Sequence, residues 1–331
     1  MLLQLRAARK ITKVRSIDCV RRLFDDIQGM PATEPILYYN RYTGKIESES
    51  IYGEGFLKFT YGNALGKLAL SALVRRTFFS RFYGWRMRRR ASARKIKPFV
   101  DRYALDPGEF ADPISGFGHF DAFFVRQLRP GTRPFSEDAH ELGFPAEGRH
   151  LAVADLSAYD GLWAKGQKFD LPRLLGSRQL AERYDGGAAL ISRLCPTDYH
   201  RYHFPCAGDA GDVELLNGFL YSVNPIALRQ RVAYLWENKR CLTILRSQAF
   251  GSVALLEIGA TCVGSIVQTY LPGQVKKGGE KGYFRFGGSM FMMFFERGRM
   301  VFSPDLLEHG AEGREVYARV GDCCGNAAGK E

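Results

Sequence analysis

From about residue 140 to its end, the chain is a series of short β-patterned runs separated by glycine and proline turns. ALISRL, VELLNGFLYSV, CLTILRS, SVALLEIGATCVGSIVQTYL and YFRFGGSMFMMFF follow one another, as strands do in a barrel or sandwich. Residues 36–135 read differently. From Tyr61 the apolar positions Leu65, Leu68 and Ala72 recur at helical spacing, followed by Phe78, Phe79 and Phe82. The expected fold class is therefore α+β. A helical, basic N-terminal region over 36–135 packs on a β-rich barrel- or sandwich-like core over 136–331. Residues 1–35 read as an extension ending in the breaker-rich GMPATEP.

Composition narrows the classes. Among 331 residues, 46% are hydrophobic and 25% charged, the balance of a globular chain with a sizeable core. The weakly charged apolar stretch around 59–74 is broken by Lys67 and stops at Arg75. It falls short of the ~20 residues that span a bilayer, so no transmembrane helix is expected. The start, MLLQLRAARKITKVR, has no apolar core and no small-residue cleavage site, unlike a secretory signal. It leaves a transit peptide or a surface-lying arm open. Seven scattered cysteines without a CxxC pair argue against a disulfide framework and a structural zinc site, and fit a reducing compartment.

The net charge of +12 is concentrated. Residues 51–100 carry twelve basic side chains against Glu54 alone. In RFYGWRMRRRASARKIK, arginines interleave with aromatics, which three arrangements could use. Bases can stack on the rings. An amphipathic helix can sink aromatics into a lipid interface and pair arginines with anionic headgroups. A helical hairpin can also simply pack on the β core with a solvated charged face.

Chemistry-bearing residues are few. Two of the six histidines, His200 and His203, stand three residues apart in RLCPTDYHRYHFP. They could be a metal pair, an acid–base pair or ordinary surface residues; no third ligand at suitable spacing is nearby. Downstream, Gly287-Gly288-Ser289 interrupts two β-patterned runs. A glycine there is ordinarily a bulge or tight bend. A Gly-Ser bond in a strained turn can also undergo an N-to-O acyl shift, with the Ser289 hydroxyl attacking the Gly288 carbonyl. β-Elimination from that ester would leave a pyruvoyl group. The α/β-hydrolase alternative fails, because no G-x-S-x-G surrounds Ser289.

From about Tyr38 to Gly325 the sequence resembles the phosphatidylserine decarboxylase proenzymes. The matching pieces are YYNRYTGKIESE, FDAFFVRQLRPGTRP, PAEGR, RLCPTDYHRYHFP, YSVNP, EIGATCVGSI and KKGGEKGYFRFGGS, in that order. Several specific motifs in order carry far more than any one. The resemblance implies a self-processing carboxy-lyase that converts phosphatidylserine to phosphatidylethanolamine and carbon dioxide, and it selects the lipid reading of the basic zone. It implies cleavage between Gly288 and Ser289 into a large chain (1–288) and a small chain (289–331) that stay together as a heterodimer. Ser289 would be the nucleophile and the source of the pyruvoyl group, which takes the substrate amine as a Schiff base and acts as electron sink. His203 matches the base that activates the serine, and His200 matches the histidine of decarboxylation and reprotonation. The carboxylate orienting the base falls at Glu147, in Pro145-Ala146-Glu147-Gly148.

Two positions depart from the family pattern: Glu147 stands where Asp is usual, and Met290 where Ser or Thr is usual. They keep two alternatives in view, a pyruvoyl decarboxylase of another amino acid and a non-processing membrane-binding homologue. Neither a metal nor pyridoxal phosphate is expected, and no nucleic-acid partner. The expected partners are phosphatidylserine and an anionic membrane surface, with peripheral attachment at the cytoplasmic face of a bacterial-type cell membrane.

Overall fold

SMFMMFF is a run with no polar residue after its serine, and all seven of its residues, Ser289–Phe295, are buried. A strand buried on both faces belongs in the middle of a sheet, and that is where it lies. The computed structural model describes residues 35–51, 53–62, 66, 70, 77–159, 163–164, 167–168, 170–261, 266–286 and 289–329. In chain order its strands are β1 (Leu37–Asn40), β2 (Lys45–Ser48), β3 (Glu141–Gly143), β4 (Gly148–Val153), β5 (Trp163–Ala164), β6 (Gln167–Lys168) and β7 (Ala188–Leu194). There follow β8 (Arg201–His203), β9 (Gly208–Ala210), β10 (Glu214–Leu216), β11 (Arg240–Ser247), β12 (Gly251–Ile258), β13 (Ile266–Gln268) and β14 (Gly273–Val275). The last are β15 (Glu280–Phe284), β16 (Ser289–Phe295), β17 (Met300–Phe302), β18 (Glu315–Ala318) and β19 (Cys323–Ala327).

The main sheet runs β14-β9-β11-β12-β16-β7-β4-β18-β1-β2, with β10 also paired to β11. Its ends do not meet among the described residues, so the β core is an open sheet rather than a closed barrel. Phe291, Met293 and Phe295 point to one face and join Tyr202, Phe204 and Phe284 of β8 and β15, with Phe302 and Cys324 of β17 and β19. Two smaller sheets, β13-β15-β8 and β17-β19-β3, supply that layer. Met290, Met292 and Phe294 point to the other face, against Leu174, Leu175, Tyr184 and Leu235 from short helices and Val232 from the turn between two of them. The result is a layered, sandwich-like core.

The hairpin β1–β2 was not read from the sequence. It extends the main sheet, with β1 parallel to β18. Beyond it come α1 (Glu54–Gly62), α2 (Thr77–Met87), α3 (Ile96–Arg102) and α4 (Phe120–Phe124). Leu65, Leu68 and Ala72, which carried the helical spacing, lie outside the described residues. The helical region builds its own core from Met87, Ile96, Phe99, Val100, Phe110, Phe117, Phe120, Phe123 and Phe124. Phe286, from the segment that enters β16, inserts into it. Emptying such a position by Phe→Ala costs roughly 3–5 kcal/mol. The aromatic cluster therefore fixes the approach to Ser289.

Candidate active site

The backbone brings three distant peptides together. β15 leads through Arg285 and Phe286 to Ser289, and it pairs antiparallel with β8, His203 opposite Glu280 and Arg201 opposite Tyr283. The His203 N–H donates to the Pro145 carbonyl at 2.7 Å, so the PAEG peptide lies alongside. Two glycines permit the close approaches. A Cβ on Gly282 would fall 2.1 Å from the Val267 carbonyl oxygen, and one on Gly148 would fall 2.4 Å from that of Arg193.

Ser289 is fully buried, and its Oγ has no hydrogen-bond partner among the described residues. A buried hydroxyl left so is costly, by about 1–3 kcal/mol, and calls for an explanation. Gly287 and Gly288 lie outside the described residues, so the carbonyl singled out for attack is not placed. Met290 does not lie beside the serine side chain. Successive residues of a strand face opposite ways, and Met290 packs into the helix-covered face.

Both histidines are held through Nδ1 by a backbone carbonyl. His203 Nδ1 lies 2.9 Å from the Gly278 carbonyl, and His200 Nδ1 lies 3.0 Å from that of Asp198. A carbonyl only accepts, so each Nδ1 carries a proton, and in the neutral His203 ring Nε2 holds the lone pair. His203 Nε2 accepts from the Tyr199 hydroxyl at 3.5 Å. Burial holds the His203 pKa below its usual value, against the Gly278 carbonyl and Glu280, which favour the charged form. His200 is fully buried beneath Phe124, with ring centroids 4.0 Å apart.

Glu147 is 7% exposed and has other partners than His203. Arg133 donates to it at 2.7 Å through Nε, and the Tyr317 hydroxyl at 3.3 Å. Arg133 also reaches Glu109 at 2.8 Å. Among the described residues, the group that orients His203 is a backbone carbonyl rather than this carboxylate. Sequence reading missed Tyr199, Gly278 and Arg133. Arg133 stood in plain view within FDAFFVRQLRPGTRP, and Tyr199 beside the histidines, but nothing in their spacing marked them.

A clamp of charges holds this floor in place. Arg149 Nη1 donates to both oxygens of Asp198 at 2.7 and 2.6 Å, tying β4 to the turn before His200. Arg193 of β7 binds Glu49 at 2.7 Å and also Glu315 of β18. Removing one partner of such a buried pair costs about 3–5 kcal/mol. No helix among the described residues is long and apolar enough to cross a membrane.

Comparison with known proteins places the chain in a family. The family model described as Phosphatidylserine decarboxylase matches residues 120–322, which include the α4 segment, both histidines and Ser289. The phosphatidylserine decarboxylase proenzyme of Fusobacterium nucleatum is 41% identical over 294 residues, covering 88% of this chain and 98% of that one. That of Chlamydia trachomatis is 42% identical over 298 residues, covering 89% and 98%. That of Clostridium botulinum is 39% identical over 292 residues, covering 88% and 99%. With half the chain inside the family model and relatives matched nearly end to end, the chain belongs to the phosphatidylserine decarboxylase family.

Proposed function

We propose that this chain is a self-processing phosphatidylserine decarboxylase that makes its own pyruvoyl group at Ser289. The observation that carries the proposal is the orphaned, fully buried Ser289 hydroxyl at the head of the central strand. A structural serine at such a place would bond its hydroxyl to the backbone. A nucleophile needs it uncommitted to the backbone, so that a base can take its proton. The pyruvoyl group fits, because it occupies the volume of the serine from which it forms.

In maturation, Ser289 Oγ attacks the Gly288 carbonyl and the amide becomes an ester. Elimination then releases residues 1–288 with a terminal carboxylate. Hydrolysis of the dehydroalanyl end, with loss of ammonia, leaves the pyruvoyl group on residues 289–331. His203, neutral at pH 7 with Nε2 unprotonated, is the base that takes the hydroxyl proton. The two chains remain a heterodimer, since β16 lies between β12 and β7, and β18 between β1 and β4.

In decarboxylation, the pyruvoyl group supplies the electron sink for the charge left when carbon dioxide departs. His200 delivers from Nε2 the proton that returns to the substrate carbon. Its Nδ1 bond to Asp198 and the Phe124 ring above it fix the imidazole and keep it dry. Glu147 acts through Arg133 and Tyr317, holding the PAEG peptide where it supports the His203 backbone.

Docking to an anionic membrane surface follows from α2. Phe78, Phe82 and Trp85 are exposed, and Arg89 stacks over Trp85 at 4.7 Å, with Arg86, Arg88 and Arg90 exposed nearby. Such a face sinks rings into the interface and sets guanidinium groups among lipid headgroups. The attachment is peripheral, at the cytoplasmic face of the cell membrane.

One assay tests both parts. Carbon dioxide release is measured from phosphatidylserine in neutral detergent micelles and in vesicles rich in anionic lipid, across a salt series. The expected result is release in both, with the vesicle rate falling as salt rises. Absence of release from micelles contradicts the decarboxylase, and a salt-independent vesicle rate contradicts electrostatic docking.

A further inference from the structure

Arg126 is 5% exposed, and its Nε and Nη1 are buried without a hydrogen-bond partner among the described residues. Its neighbours in charge are otherwise engaged. Arg133 is spread over Glu109 and Glu147, and Arg149 grips Asp198. Buried Arg240 spends Nε, Nη1 and Nη2 on backbone carbonyls. A desolvated guanidinium with open N–H groups is costly to keep, and it is also a ready receptor for an oxyanion.

Its orientation is fixed. The Phe110 and Phe123 rings lie 5.1 and 4.9 Å from its guanidinium carbon, so it is clamped by cation–π contact. Its position is at the site. Phe124, two residues earlier, covers His200, and the Val125 carbonyl binds Arg201 of β8 at 2.9 Å. Asp121 of the same helix holds Arg285, and Phe286 from that segment packs on Phe124. The acids that bear on Arg126 are Glu147, Asp198 and Glu109. Each of the three acids is already paired, Glu109 and Glu147 with Arg133 and Asp198 with Arg149.

We propose that Arg126 receives the phosphodiester of the phospholipid substrate and so selects for a phosphorylated headgroup, an inference that rests on the decarboxylase reading above. Chemistry decides between the two anions of phosphatidylserine. The carboxylate must surrender its charge as carbon dioxide leaves, so a cation bound to it stabilises the ground state more than the transition state and slows the reaction. The phosphodiester keeps its charge in substrate, transition state and product. A fixed cation can hold it throughout.

The test compares wild type with Arg126→Gln and Arg126→Met. Wild type should bind glycerophosphoethanolamine, which carries the phosphodiester and no carboxylate, and Arg126→Gln should bind it about tenfold or more weakly. L-Serine, which has the carboxylate alone, should bind both equally. Arg126→Gln should still cleave into two chains by intact mass. Its KM for short-chain phosphatidylserine should rise about tenfold with kcat changed far less. Arg126→Met should melt no lower than wild type, because it removes an unsatisfied buried cation. Equal glycerophosphoethanolamine affinity, an unchanged KM, or a loss confined to L-serine overturns the assignment. So does a lower melting temperature in Arg126→Met with binding intact, which is the signature of a purely structural residue. If Arg126→Gln does not fold, Arg126→Lys takes its place and should bind glycerophosphoethanolamine more weakly than wild type; equal binding overturns the proposal. Should wild type release no carbon dioxide, the decarboxylase reading fails, while the glycerophosphoethanolamine arm still reports on Arg126.

Discussion

Two polar islands lie in the apolar interior of this protein, and they are built on opposite principles. In one, Lys281 of β15 sits 2.8 Å from Glu257 of β12, both fully buried. Gln268 of β13 accepts from Lys281 at 2.9 Å and donates to Glu257 at 2.8 Å. The three residues bind one another and bolt the small sheet to the large one. In the other, the Ser289 hydroxyl and the Arg126 guanidinium are buried and left open among the described residues. The closed island explains itself as structure. The open one makes sense only if something else completes it, here the Gly288 carbonyl during maturation and a phospholipid afterwards.

The sharpest way to break this contrast is to remove the two histidines in turn. His203→Ala should slow cleavage by about 10²–10⁴-fold, the usual worth of a general base. His200→Ala should still cleave and yet decarboxylate poorly. Gel-resolved time courses of cleavage, with carbon dioxide release on the matured protein, separate the two. Burial holds the His203 pKa below its ordinary value, so the base keeps its lone pair to a lower pH than a free imidazole would. The acid limb of the cleavage rate should therefore fall below the pH at which an ordinary histidine titrates. Normal cleavage by His203→Ala would reverse the assignment.

The closed island should respond in stability alone. Lys281→Met leaves Glu257 buried and unpaired, at a cost of about 3–5 kcal/mol, and the double variant Lys281→Met/Glu257→Leu should recover most of it. Denaturant midpoints check this, and additive losses would show that the two side chains are not coupled.

A smaller effect separates folding from chemistry on the pH axis. His150 of β4 is fully buried against the Ser192 hydroxyl at 2.9 Å, and burial pushes its pKa down to about 3 from an ordinary 6.5. Between those values the unfolded chain takes up a proton that the folded chain refuses. Stability is therefore full above pH 6.5 and drains as pH falls toward 3. From pH 7 to 4.5 this one group should cost about 2–3 kcal/mol. His150→Gln should lose that much less stability over the same range. Equal losses in both proteins would assign acid sensitivity to other groups.

What the sequence revealed, and what it hid, follows one physical line. β7, β11, β12 and β16 were legible, because a strand buried on both faces is written in its own consecutive residues. Ser289 and the histidines were legible through their chemistry and their motifs. The β1–β2 hairpin was not, because β1 is recruited by β18, some 275 residues away (Tyr38 opposite Glu315). The partner of His203 was hidden for another reason: the Gly278 carbonyl is backbone and leaves no side-chain signature. Glu147 was expected beside the base, but Arg133 had claimed it, a pairing visible only once β4 and the 126–135 loop lie together. Met290 turned to the far face by strand alternation alone, which sequence patterning could have shown.

The most direct test of the central claim is the intact mass of the purified protein beside its Ser289→Ala variant. Wild type should give two chains, residues 1–288 and 289–331, the smaller one blocked to Edman sequencing by its pyruvoyl end. Ser289→Ala should remain a single chain of 37.3 kDa. A wild-type protein that stays at 37.3 kDa after prolonged incubation would contradict the account.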